Sequence, residues 1–159
     1  MRVSSGIQRA LRPIVPGLIA GAAGGILIDV YLLTGLVAIA HVVTVTGFYQ
    51  FVASAAVGRD AYVDGSEAWL GVALHVFASL AWGVGYAYLA SRTPQLRSRP
   101  ITSGIVFGIV VMIAMQLVEV AANVYTLPDT LTLLNAFVAH TLFFGIPVAW
   151  LVAKRLPST

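Results

Sequence analysis

Four ionisable residues stand inside otherwise apolar stretches of this sequence: Asp29, His75, Glu119 and His140. Carboxylates and imidazoles are the side chains that trade protons near neutral pH and that ligate ions such as Zn, Fe or Mn. An Asp at the centre of a membrane span costs about 2.5 to 3.5 kcal/mol even on the gentlest insertion scale, so two acids require partners, protonation or a bound ion. No Lys or Arg lies in the same stretches to neutralise them. Three physical solutions stay open: a protonated carboxyl, pairing with protonated His75 or His140, or a transition-metal ion held by two His and two carboxylates. Gln116, Asn123, Tyr31 and His41 are placed to support such a site from behind or above. The two histidines alone suggest a different chemistry, axial ligation of haem b.

The elements that must position these residues are set by composition. The chain has 159 residues, of which 59% are hydrophobic and 9% charged, against about 25% charged in a soluble domain. Mean hydropathy is +0.93. Such a chain has too little polar surface to face water, and four spans of ~20 residues with short loops account for nearly all of it. We therefore expect an all-α fold, an integral membrane four-helix bundle in one domain, with spans at about 16–38, 68–90, 101–127 and 131–153. The 42–57 segment carries Phe48, Phe51, Val52 and Ala55 at helical spacing and is expected as a short interfacial or re-entrant piece, a lid over the bundle mouth. Continuation of the first span as one long helix is the alternative.

Charge placement selects this topology. With one crossing in the first apolar region, Arg2, Arg9, Arg12, Arg92, Arg97, Arg99, Lys154 and Arg155 share a side, and Asp60, Asp64, Glu67 and Asp129 share the other with Arg59. That is the positive-inside pattern, and it implies a bacterial-type inner membrane with both termini cytoplasmic. The basic residues are orientation signals, so no nucleic-acid partner is expected. Trp69, Tyr125 and Trp150 fall near span ends as an aromatic belt. Cysteine is absent, which excludes disulfides and thiolate ligands.

Depth and azimuth bring the four residues together. At ~1.5 Å per residue, His75 lies ~12 Å in from Glu67, Glu119 ~12 Å from Leu127, His140 ~16 Å from Asp129, and Asp29 ~20 Å from Pro16, all at one level in the outer half. Gly17, Gly21, Gly25 and Asp29 repeat every fourth residue, as do Gly71, His75, Ser79 and Gly83; Gly104, Gly108, Met112 and Gln116 lead to Glu119. Small residues let helices approach, so these ionisable positions should face neighbouring helices. The fourth span aligns Thr132, Ala136 and His140 before bulky Phe143 and Phe144. The same glycines could equally pack against a second copy, so a homo-oligomer or a place in a larger membrane complex is expected besides the lipid bilayer.

Two stretches, Leu74-His75-Val76-Phe77-Ala78-Ser79 leading to Gly83-Val84-Gly85-Tyr86, and Ala139-His140-Thr141-Leu142-Phe143-Phe144 leading to Lys154-Arg155, resemble the YagU family of bacterial inner-membrane proteins. The long loop after the first span in that family is replaced here by the shorter 48–67 region. The resemblance implies a proton-related role and carries over His75 and His140. No substrate-binding motif supports a metal-activated water, so the expected function is non-enzymatic: a buried site for protons or a metal ion. An accessory subunit of a redox or pigment complex and a purely structural bundle are the alternatives.

Overall fold

The computed structural model describes residues 11–122 and 129–156. Asn123, Tyr125 and the expected extension of the third span to residue 127 lie outside them. Every described element is helical. Helix α1 (Ile14–Leu32) continues through a π-helical segment, Leu33–Ile39. The chain breaks at His41, whose φ of 53° lies in the left-handed region, one that His enters more readily than most residues. A separate helix, α2 (Val45–Val57), then begins at Thr44, whose hydroxyl accepts from the Gly47 amide at 3.0 Å. Continuation as a single long helix is therefore not what the chain does. At 13 residues, α2 is about 20 Å long, too short for a hydrocarbon core of about 30 Å.

Helix α3 (Ala68–Arg92) follows a 3-10 turn at Gly58–Tyr62; a short α4 (Pro94–Ser98) links it to α5 (Pro100–Ala121). The last apolar helix is composite: α6 (Thr130–Val138), a π segment at Ala139–Gly145, and α7 (Ile146–Arg155). Its start is fixed by Asp129, which accepts from the amides of Leu131 and Thr132 and from the Thr132 hydroxyl. Those bonds hold the Asp129 carboxyl below the usual carboxylate range, so it stays charged at the helix N-terminus, where negative charge is favoured.

The four long helices are apolar enough to cross a membrane, and their outward faces are apolar as well. Trp69 is 79% exposed, Phe77 71% and Ile26 64%, a surface suited to lipid. The interior is lined by small residues. A Cβ on Gly17 would lie 2.5 Å from Val84 Cα, one on Gly21 3.0 Å from Leu80 Cα, and one on Gly25 2.8 Å from Ser79 Oγ. As numbers rise along α1 they fall along α3, so the two run antiparallel with backbones touching. Gly104 and Gly108 meet Ile146 and Thr141 in the same sense. Gly17, Gly21 and Gly25 thus pack within the chain, against α3.

This alternation puts Arg12, Arg92, Arg97, Arg99, Lys154 and Arg155 at one end and Asp60, Asp64, Glu67 and Asp129 at the other. At the basic end the Lys154 ammonium sits 3.5 Å from the Trp150 ring centroid and the Arg92 guanidinium 3.9 Å from that of Tyr88. Aromatic and cationic groups paired at span ends anchor a helix at the bilayer interface.

Candidate functional site

The glycine stripes lead directly to the site. One step beyond Gly25 on α1 stands Asp29, and one step before Ser79 on α3 stands His75. Because the helices are antiparallel and in contact, these two residues meet: His75 Nδ1 lies 3.4 Å from Asp29 Oδ2. Their side chains are 18% and 23% exposed.

The same carboxylate oxygen accepts a hydrogen bond from the Tyr49 hydroxyl at 3.1 Å. Tyr49 belongs to α2, and what brings it there is another glycine. A Cβ on Gly71 would run into the Tyr49 backbone carbonyl, so only glycine lets α2 lie against α3 at this point. Burial first, then the charge and hydrogen bond of Asp29, push the Tyr49 phenol up to about 12; it therefore stays protonated and remains a donor. The second carboxylate oxygen, Asp29 Oδ1, is buried without a hydrogen-bond partner among the described residues, which is expensive for a charged group and cheaper for a neutral acid.

Beside this pair lies a cavity of about 800 Å³. Four sequence-derived residues line it: His75 from α3, Gln116 and Glu119 from α5, and His140 from the π segment. Gln116 Nε2 donates to Glu119 Oε2 at 3.3 Å. Phe48, Phe51, Val52 and Ala55, the stripe on α2, form the covering wall, so this short helix closes the cavity from the acidic end. Asp29 stands behind His75, in contact with it. Among the described residues no three His, Asp or Glu side chains gather as a metal-binding group. The four ionisable residues are arranged as one acid–imidazole pair beside a cavity, with Glu119 and His140 on its wall.

The supporting residues are distributed differently from expectation. Tyr31 donates to Asn135 Oδ1 at 2.8 Å and stacks on Phe143, ring centroids 4.2 Å apart; it serves the fourth span and has no bond to Asp29. His41 is exposed in the break between α1 and α2, because the chain turns away from the bundle there. Asn123 lies outside the described residues.

The chain matches no family model, no curated protein and no solved structure. The site must therefore be read from its own geometry.

His140 is the second residue of the π segment. Its Nδ1 lies 2.8 Å from Ala136 O, one turn back. A carbonyl only accepts, so Nδ1 carries the proton and a neutral ring keeps its lone pair on Nε2. Asn135 and Ala136 near the end of α6 and Ala139 and His140 at the start of the π segment line the cavity wall together, as positions i, i+1, i+4 and i+5 of one helix face do. Within the π segment, Gly145 and the His140 carbonyl press against the Gly104–Gly108 backbone, and only glycine admits such an approach. Tyr49 and Asn135 are the site residues that sequence reasoning missed. Asn135 had a usable signal, as an amide in an apolar span five residues before His140.

Proposed function

We propose that this is a non-enzymatic membrane protein whose Asp29–His75 pair, held by Tyr49, binds and releases a proton inside the bundle. The observation that carries this reading is the 3.4 Å approach of His75 Nδ1 to Asp29 Oδ2, in spans whose one Lys or Arg, Arg92, stands at the far end of α3. One proton between the two groups leaves them neutral together, as carboxylate and imidazolium or as acid and imidazole. Gaining or losing a proton leaves one net charge, which the low-dielectric surroundings disfavour. The site therefore holds its shared proton over a range and exchanges it when a route to water opens. His75 also lines the cavity, which supplies such a route on the side away from Asp29. The proton-related role implied by the family resemblance agrees with this reading.

The test is infrared difference spectroscopy and pH-jump proton uptake on the purified protein. Across a pH jump wide enough to carry the pair beyond the range in which it holds its shared proton, wild type should show a carboxyl band that Asp29→Asn lacks. Uptake should fall by about one proton per chain in that variant, while Glu119→Gln keeps the band. Identical spectra and uptake for wild type and Asp29→Asn would remove the proposal. A Soret band in the same sample would instead favour a His-ligated tetrapyrrole.

We further propose that the basic end faces the cytoplasm of a bacterial-type inner membrane, supported by the positive-inside rule. The chain has no cysteine, so single cysteines report sidedness cleanly. Ser66→Cys should react with a membrane-impermeant maleimide from outside intact cells, and Ser98→Cys only after the cells are opened. The opposite labelling pattern would invert the topology.

A further inference from the structure

The cavity has a chemistry that the proton pair does not use. Its wall is mostly apolar, with Leu32, Phe48, Phe51, Leu74 and Met115 among its residues, and Phe77 and Val118 on its rim are exposed on the bundle's apolar outer surface. An occupant could therefore enter from the bilayer. The volume, about 800 Å³, is in the range of cavities that enclose a small ligand, and a few convergent polar groups in an apolar cavity are what fix such a ligand's orientation.

Two of those polar groups have a defined sense. Asn135 Oδ1 is taken by the Tyr31 hydroxyl, which leaves the Asn135 amide nitrogen as a donor. His140 Nδ1 is taken by Ala136 O, which leaves Nε2 as an acceptor. Asn135, near the end of α6, and His140, in the π segment, both line this cavity, so its wall offers one donor and one acceptor. A matching head group offers one acceptor and one donor on neighbouring atoms. An undissociated carboxylic acid does so: its carbonyl accepts from Asn135 and its hydroxyl donates to His140. A quinone offers acceptors only, and a carboxylate anion would meet an acceptor at His140 and stand beside Glu119.

We propose that this cavity binds a long-chain carboxylic acid in its undissociated form, the head group between Asn135 and His140 and the chain along the Phe48–Phe51 wall under α2. The inference goes beyond the proton reading and does not rest on it, since neither Asp29 nor His75 Nδ1 takes part.

The test is saturable binding of carboxyl-13C palmitic acid to the full-length protein in detergent, followed by its carbonyl NMR resonance, with three analogues as competitors. The acid should bind one per chain. Its methyl ester, which lacks the donor, a hexadecyl sulfonate, which is always charged, and a quinone with an isoprenoid tail should each compete at least about tenfold more weakly, the loss expected for one unmatched hydrogen bond at a buried site. His140→Ala and Asn135→Leu should weaken the acid by a similar factor. Ala55→Trp, which fills the cavity from α2 and leaves Asn135 and His140 unsubstituted, should abolish binding. An ester, sulfonate or quinone that competes as well as the acid would overturn the proposal on wild-type protein, whatever the variants do. Binding unaffected by Ala55→Trp would place the acid elsewhere and overturn it too.

Discussion

Gly83→Leu should prevent the bundle from forming. A Cβ at this position would lie 2.5 Å from Gly21 Cα and 2.6 Å from Gly21 N, and closer still to the Gly17 carbonyl. Those are backbone atoms of α1, which cannot rotate away as a side chain would. Relief requires α1 and α3 to separate along their whole contact, taking apart the Gly17, Gly21 and Gly25 approaches and the Asp29–His75 pair together. Overpacking a core typically costs about 1–3 kcal/mol; a clash between two main chains should exceed that range. The measurement is the yield of monodisperse protein by size exclusion, with the thermal midpoint of whatever remains. Gly85→Leu is the control, because a Cβ at Gly85 meets nothing within 4 Å. Equal yields for the two variants would show that the α1–α3 contact is not what holds the bundle.

The second large effect is local. Gly71→Leu should detach α2 while leaving the four long helices in place, because the added Cβ strikes the Tyr49 carbonyl and lies 3.1 Å from Tyr49 Cα, and among the described residues the three nearest atoms all belong to Tyr49. Losing this contact moves Tyr49 off Asp29 and lifts the Phe48–Phe51 wall from the cavity. Amides of residues 45–57 should then exchange with solvent roughly tenfold or more faster, as expected when a subglobal unit loses its anchoring contact, while exchange in α1, α3 and α5 is unchanged. Gly65→Ala, whose Cβ meets only Thr46 Cγ2, at 3.7 Å, among the described residues, should have neither effect. Unaltered exchange across α2 in Gly71→Leu would mean that α2 is held by something other than its approach to α3.

The two outcomes separate the scaffold from its cover. The α1–α3 seam places the acid–imidazole pair and is part of the fold's main packing. Within the α2–α3 contact the backbone approach at Gly71 sets both the hydrogen bond to Asp29 and the wall that α2 lends the cavity. A helix that can lift without unfolding the bundle is also what ligand entry or proton exchange with water would need.

Much of this architecture is written in local sequence, because its signals are periodic. Runs of apolar residues about as long as a bilayer is thick determine four crossing helices, and a glycine every fourth residue determines which face of each is slim enough to touch another. That reasoning placed Asp29 and His75 on facing stripes, and the antiparallel contact of α1 and α3 joins them. The spacing of Phe48, Phe51, Val52 and Ala55 likewise marked the face of α2 that covers the cavity. What sequence could not decide depends on contacts between distant residues. Tyr49 reaches Asp29 only because α2 folds back over Gly71, and Tyr31 turns to Asn135, 104 residues away, rather than to the carboxylate two positions before it. The π register of the fourth span is decided in the same way. Counting by fours lined up Thr132, Ala136 and His140 and left out Asn135. The close packing of Gly145 and the His140 carbonyl on Gly104 and Gly108 accompanies the π segment, at whose start His140 joins Asn135 on the cavity wall. Periodicity is a property of one helix, but register under packing belongs to two, and the polar pair in this cavity depends on the second.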